Sequence, residues 1–327
     1  MTANPSILQS FLEAGKDTFI SGEELARRHG ISRVAIHARI KKLEQSGIMF
    51  EAVPRRGYRL ASEPPTLNAD LLQAHLKQSG TDLSLHFLEE VDSTNLEVER
   101  HLASGDSDPL AVIALRQTHG RGRMGRTWHS THPGNLYLSI GFRPEAPNAA
   151  IGLFSLWAGI RVAESIREAT ALPVKVKWPN DLHVEGQKIG GILCEAKMEL
   201  DRVQTLLFGL GLNMNQDAHG LPDNLRTPAN TLKSLLGKSV PIHPLTISIL
   251  QAVTEGYDAC QQSGSGKILQ KTFLALDALR DKTVTVLNGA SENHGVARGI
   301  DTQGNLLLEA ADGSLSAIRA GDVSLKK

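Results

Sequence analysis

Cysteine is nearly absent from this sequence: Cys194 and Cys260 are the only two in 327 residues, and nothing near them has metal-ligand spacing. A disulfide framework is therefore excluded, a reducing compartment is expected, and neither thiol stands out as a nucleophile. Net charge is lacking as well. Lys plus Arg equals Asp plus Glu at 35 each, so affinity for a polyanion cannot be global and must come from a local patch. The chain shows no secretory apolar segment and no apolar run of membrane length, which leads us to expect a cytoplasmic protein with no membrane partner. Its length exceeds one typical domain, so two or three are expected.

Positive charge is concentrated near the N-terminus. Between Arg27 and Arg59 there are nine Arg or Lys against Glu44 and Glu51. Ile7, Leu8, Phe11 and Leu12 have helical spacing. Ser21 precedes GEELARRHG with Glu24 placed for a capping box and Gly30 as the stop; Ser32 then starts RVAIHARIKKLEQSG, where Val34, Ile36, Ile40 and Leu43 form the expected buried face. This is the pattern of a helix-turn-helix whose second helix enters a major groove, presenting Ser32, Arg33, His37, Arg39, Lys41 and Lys42. Two short strands follow, joined by Pro54-Arg55-Arg56-Gly57, a basic turn that resembles the wing of winged-helix proteins. A helical hairpin for protein contacts is the alternative. The stretch SEPPTLN marks a linker, and the boundary is placed after residue 63.

From residue 64 to 278 strands and helices mix without strict alternation, which predicts an α+β domain with a mixed or antiparallel sheet and helices on one face. The chain's most distinctive stretch lies here, RQTHGRGRMGRTWHS (116–130). Gly120, Gly122 and Gly125 let the backbone bend and approach a ligand, while Arg121, Arg123 and Arg126 offer forks for carboxylate or phosphate oxygens. The glycines satisfy a dinucleotide spacing, but LYLSIGF follows where that motif needs a helix, and no Lys-Ser or Lys-Thr completes a P-loop. The loop is expected to gather only around an anion.

Three further pieces carry chemistry. In VDSTN, Ser93 caps a helix or, with Thr94 and Asn95, binds a polar ligand edge; spacing favours the cap. In VKVKWPNDL, Trp178-Pro179 delivers Asn180 and Asp181 to a strand end, where an amide beside a carboxylate suits Mg²⁺ or a ribose hydroxyl, or forms an ordinary turn. Lys188 opens KIGGIL, in which Gly190 and Gly191 let a ligand lie against a strand. Alone it would be a solvated charge; beside the arginine loop it becomes a clamp for carboxylate or α-phosphate. From about Leu279 to the end (279–327), alternating segments punctuated by NG, TQGN and ADG predict a small SH3-like β-barrel.

GRGRMGRTWHS, KWPNDL and KIGGILCE, in this order, resemble the biotin protein ligase family, and with the N-terminal winged helix-turn-helix the chain is similar to its bifunctional ligase and biotin operon repressor members. The resemblance runs from about residue 5 to the C-terminus. It implies a class II synthetase-like catalytic domain that makes biotinyl-5′-AMP from biotin and MgATP, then acylates a lysine of the biotin carboxyl carrier protein of acetyl-CoA carboxylase. It further implies biotin operator DNA as a partner, the adenylate as corepressor of a homodimer, and no tightly bound metal. By motif, Ser93, Thr94, Asn95 and Gln117 would line the biotin pocket with Gly190 and Gly191, and Arg121, Gly122 and Arg123 would close over biotin and adenylate. Arg123, Lys188 and Asp181 would carry the chemistry, Asp181 with a role toward Mg²⁺. Arg126, Trp128, Asn180 and Asn213 would join Arg123 around the nucleotide. A biotin-sensing regulator with little ligase activity is the alternative.

Overall fold

The computed structural model describes residues 5–144, 151–199, 202–288 and 291–325. The chain forms two compact units, Met1–Asp82 with Ser239–Ile247, and Leu83–Lys238 with Ser248–Lys327.

The first unit contains α1 (Pro5–Ala14), α2 (Gly22–His29), α3 (Arg33–Gln45), β1 (Met49–Val53), β2 (Gly57–Ser62) and α4 (Ala69–Ser79). Side-chain oxygens start three of the helices. Ser21 accepts from the amide of Glu24 at 3.0 Å, Ser32 from Ala35 at 3.2 Å and Asn68 from Leu71 at 3.1 Å, each cap stabilising its helix by about 1 kcal/mol. The Glu24 carboxylate pairs with Arg28 on its own helix. Ile7, Leu8, Phe11, Ile20, Leu25, Ile36, Ile40, Leu43, Ile48 and Leu60 form one core, which also takes in Leu71 and Ala74 of α4. The compact unit thus extends past the Ser-Pro linker, where the sequence placed the boundary. Val34 departs from expectation: it is 79% exposed and no part of the core face. The other three predicted positions, separated by 4 and 3 residues, already complete the buried stripe, and Val34 lies on the far side of the helix.

β1 and β2 form an antiparallel hairpin, and Ile20 and Tyr58 exchange backbone hydrogen bonds at its end. Gly57 is required in the basic turn, because it has φ 104° and a Cβ there would lie 2.1 Å from the Ile20 carbonyl oxygen. Behind this, Glu63 joins two imidazoles, with His75 Nε2 and His243 Nδ1 each 2.9 Å away. Burial pushes the Glu63 carboxyl up, but the hydrogen bonds to His243 and His75 outweigh it and hold it at about 2.

The second unit is built on β3 (Ser84–Val91), α5 (Thr94–Ala103), β4 (Leu110–Gln117), β5 (Leu136–Phe142), α6 (Ile151–Thr170), β6 (Lys175–Lys177), β7 (Asp181–Val184), β8 (Gln187–Glu199) and β9 (Arg202–Leu212). α7 (Leu232–Leu236), α8 (Ile242–Gln261), whose first turn belongs to the first unit, and α9 (Ser265–Leu276) follow. The strands form a seven-stranded mixed sheet in the order β3-β4-β5-β9-β8-β7-β6, parallel at β3–β4 and antiparallel elsewhere.

Helices cover both faces of this sheet, not one as expected. Every residue of β5 is buried, and its alternation shows why. Ser139 and Gly141 face α5, where a Cβ on Gly141 would meet Val98; Phe142 packs edge-on against Phe154 of α6. Five C-terminal strands, β10 (Thr283–Asn288), β11 (Ser291–Ile300), β12 (Leu306–Glu309), β13 (Leu315–Ile318) and β14 (Asp322–Leu325), form an antiparallel sheet in the order β13-β12-β11-β10-β14. Among the described residues no helix is long and apolar enough to cross a membrane.

Candidate active site and nucleic-acid face

A cleft of about 960 Å³ opens on the second unit, at the upper end of the size range for a small-molecule site. Its wall includes Ser93, Thr94, Asn95, Gln117, Arg121, Gly122, Arg123, Arg126, Trp128, Asn180, Asp181, Lys188, Gly191 and Asn213. All but one of the positions singled out for biotin and nucleotide therefore come together. The exception is Gly190, which faces across the sheet, where a Cβ would lie 3.0 Å from the Gly211 carbonyl oxygen.

Part of the cleft wall is a connected polar network. The Thr94 amide and hydroxyl both donate to Gln117 Oε1, at 2.8 and 3.0 Å, and Gln117 Nε2 donates to Ser130 Oγ at 2.9 Å. The buried Ser139 hydroxyl bridges Thr94 Oγ1 (2.7 Å) and Asn95 Oδ1 (2.6 Å). Asn95 Nδ2 donates to Glu195 Oε2 at 2.8 Å, and the other oxygen of Glu195 pairs with Arg121 at 2.7 Å. The network thus runs from the sheet floor into the arginine loop. Ser93 occupies the N-cap position of α5 but makes no side-chain capping bond, so the favoured cap gives way to a buried hydroxyl on the cleft wall. The Gln117 side chain reaches the same helix start through the next amide.

Another part is charged. Lys188 Nζ lies 2.6 Å from Asp181 Oδ1 and 5.4 Å from the centre of the Trp128 ring. Burial would raise the Asp181 carboxyl, but His183, 3.9 Å away, and the Lys188 ammonium hold it at about 2. Arg123 donates to Asn180 Oδ1 at 3.1 Å, and Asn180 Nδ2 donates to the Ile192 carbonyl at 2.7 Å. Burial lowers the proton affinity of Arg123 and of Lys177; the positive charges of Lys188, Arg226 and Lys282 push Lys177 further down. Such a cationic cluster favours multiply charged anions. Trp128 lies flat against the glycine face of β8 and β9, with Gly191 and Gly211 beneath it.

The loop has partners within the chain. Arg121 and Thr127 bridge, Arg123–Gly125 make a 3-10 turn, and Arg126 and Arg226 share the Asp322 carboxylate of β14. Protein oxygens thus occupy guanidiniums that were expected to gather only around an external anion. Sequence reasoning missed Ser139, Glu195, Lys177, Arg226 and Asp322. A lone serine in the otherwise apolar LYLSIGF was the one usable signal.

On the first unit, Arg33, His37, Lys41, Lys42, Arg55 and Arg56 are exposed. Ser32 is engaged in its cap, and Arg39 is half-buried with Nη1 shielded from solvent, so Arg39 presents itself less openly than expected. The His37 ring is held by the Tyr58 hydroxyl at 3.2 Å, and the Arg56 guanidinium stacks 4.2 Å above the Phe19 ring.

The polar network, the cationic cluster and the basic winged helix are the parts that a carboxylate-activating ligase with a DNA-binding module would need. Residues 87–213 match the Biotin/lipoate A/B protein ligase family, 6–59 an HTH domain and 281–326 the Biotin protein ligase C terminal domain. The chain is 32% identical over 326 residues to the bifunctional ligase/repressor BirA of Bacillus subtilis, covering 99% of each chain. It is 35% identical over 312 residues to that of Escherichia coli, covering 94% of this chain and 93% of the relative. Biotin protein ligase from Aquifex aeolicus in complex with biotin and ATP superposes with a TM-score of 0.64 at 29% identity, covering 75% of this chain and 99% of that one. The chain belongs to the bifunctional biotin ligase/repressor family.

Proposed function

We propose that this protein joins biotin to ATP, forming biotinyl-5′-AMP and pyrophosphate, and passes the biotinyl group to a lysine of the biotin carboxyl carrier protein of acetyl-CoA carboxylase. The adenylate is also the corepressor that favours a homodimer on biotin operator DNA. A cytoplasmic location follows from these partners. The three domains we assign by function are the winged helix-turn-helix to residue 63, the catalytic domain over 64–278, of which α4 and Ser239–Ile247 pack with the first compact unit, and the C-terminal domain over 279–327.

The carrying observation is that a single cleft holds both a hydrogen-bonding network and the charged group Arg123, Lys188 and Asp181. Biotin needs both, having a ureido ring and a carboxylate. Ser93, Thr94, Asn95 and Gln117 take the ring, and Gly191 lets the ligand lie against β8. A carboxylate oxygen of biotin attacks the α-phosphorus, the bond to the β-phosphate breaks, and pyrophosphate leaves. Arg123 and Lys188 stabilise the charge on the phosphate oxygens without reorganising. Trp128, Asn180, Asn213 and Arg126 hold the nucleotide. Mg²⁺ arrives with ATP. One ionised carboxylate, Asp181, beside substrate phosphates fits its preference for few protein ligands.

In the second step the acceptor amine attacks the acyl carbon, the bond to AMP breaks, and the amine proton passes to solvent. Arg121 and Gly122 close the loop and keep water from the mixed anhydride.

The test is incubation with biotin, α-labelled ATP, Mg²⁺ and a carrier domain, resolving adenylate from biotinylated carrier. Both products are expected. Adenylate without biotinylated carrier would sink the second step, and biotin binding without either product would leave a sensor only. Full-length similarity to ligase/repressors favours the ligase.

A further inference from the structure

Val34 is a large apolar residue standing 79% exposed on the first turn of α3, two residues after the Ser32 cap. Neither fold nor helix propensity accounts for it there: it packs into no core, and a β-branched residue is a mediocre helix former. The first turn of a recognition helix is where base edges are met. Ala38, also exposed, follows at helical spacing, so the two make a small apolar stripe. Arg33 adjoins Val34 in the chain, Lys41, paired with Glu44, follows one turn beyond Ala38, and Arg55 and Arg56 are exposed on the wing, Arg56 over the Phe19 ring. His37, next to the stripe, is pinned from β2 by Tyr58.

An apolar stripe inside a cationic face fits one feature of duplex DNA. Phosphates take the cations, and in the major groove thymine alone among the bases offers a methyl group, at C5. We propose that Val34, backed by Ala38, reads a thymine C5-methyl in the operator and so determines part of its sequence specificity. This rests on the operator-binding function above.

The experiment selects an operator from a randomised duplex pool with the full chain, biotin and MgATP. Each thymine is then replaced singly by deoxyuracil, which deletes only the methyl. Losing one buried methyl contact corresponds to about a four-fold change in affinity. Fluorescence anisotropy should show one position, repeated by symmetry in the two half-sites that the homodimer binds, where the wild type weakens by about this factor. Val34→Ala, which removes the contact from both protomers, should bind the unmodified operator about sixteen-fold more weakly and lose nothing further at either position, while keeping the wild-type response elsewhere. An unchanged thermal melt shows that the variant is folded.

A Val34→Ala protein that still loses four-fold at that position would overturn the assignment, as would a wild type indifferent to every deoxyuracil. If no sequence is selected, operator binding itself fails and the assignment falls with it. Selection of an operator without methyl sensitivity removes only the role of Val34.

Discussion

At the residue scale, burial of one carboxylate gives a pH dependence. Asp277 is 3% exposed; its Oδ1 accepts from the Leu279 amide at 2.7 Å, while Oδ2 has no partner among the described residues. Burial pushes its carboxyl up from 3.8 to about 6. The folded state therefore binds this proton more tightly than the unfolded state, and the stability it gives is complete below the unfolded value and lost as pH rises through about 6. Asp277→Asn should raise the melting temperature at pH 8 and leave it unchanged near pH 3, the gain reaching about 3 kcal/mol at most. Glu63 has the opposite sign. Its carboxyl is held at about 2, so its contribution is present above 4.5 and disappears as acid takes the pH through 2. Arg123 belongs to chemistry rather than stability. Arg123→Ala should raise free adenylate relative to biotinylated carrier about ten-fold or more in the labelled-ATP assay, because a guanidinium–phosphate contact of this kind is worth at least that factor.

At the element scale, β9 is the wall on which the cleft depends. Its alternation puts Phe208 toward α6 and leaves Gly209 and Gly211 on the ligand side. A Cβ on Gly211 would lie 2.2 Å from the Trp128 indole, and one on Gly209 2.4 Å from Asn95 Oδ1. The two substitutions should therefore fail differently. Gly211→Ala should displace Trp128 and raise the KM for ATP, whereas Gly209→Ala should disturb Asn95 and raise the KM for biotin. Each change should be about ten-fold, the scale of one lost binding contact. Equal effects of both variants on both substrates would show that the sheet, not the facing side chain, had been damaged. α3 carries the same lesson in helical form. Its buried stripe was readable from Ile36, Ile40 and Leu43; Val34, two positions before Ile36, falls on the opposite side of the helix and lies outside it.

At the scale of the whole molecule, the arginine loop and the C-terminal sheet share one carboxylate. Asp322 of β14 takes both Arg126 and Arg226. Asp322→Ala should free the loop, and trypsin cleavage after Arg121, Arg123 or Arg126 should accelerate several-fold, with biotin plus MgATP restoring protection; unchanged cleavage would mean that Glu195 and Asn180 suffice to hold it. The sequence by itself determined the winged helix-turn-helix, the mixed α+β sheet and the arginine loop that lines the cleft. These depend on local signals: caps at Ser21 and Ser32, apolar periodicity, and glycines and arginines packed into fifteen residues. Only the tertiary structure decided that Ser93 lines a cleft instead of capping, that helices cover both faces of the sheet, and that Ser139, Glu195 and Asp322 complete the polar and charged networks. Those partners lie 44, 100 and 196 residues away along the chain. A contact between a strand and a helix or loop distant in the chain leaves no periodicity in either segment, so it exists only once tertiary packing has brought them together.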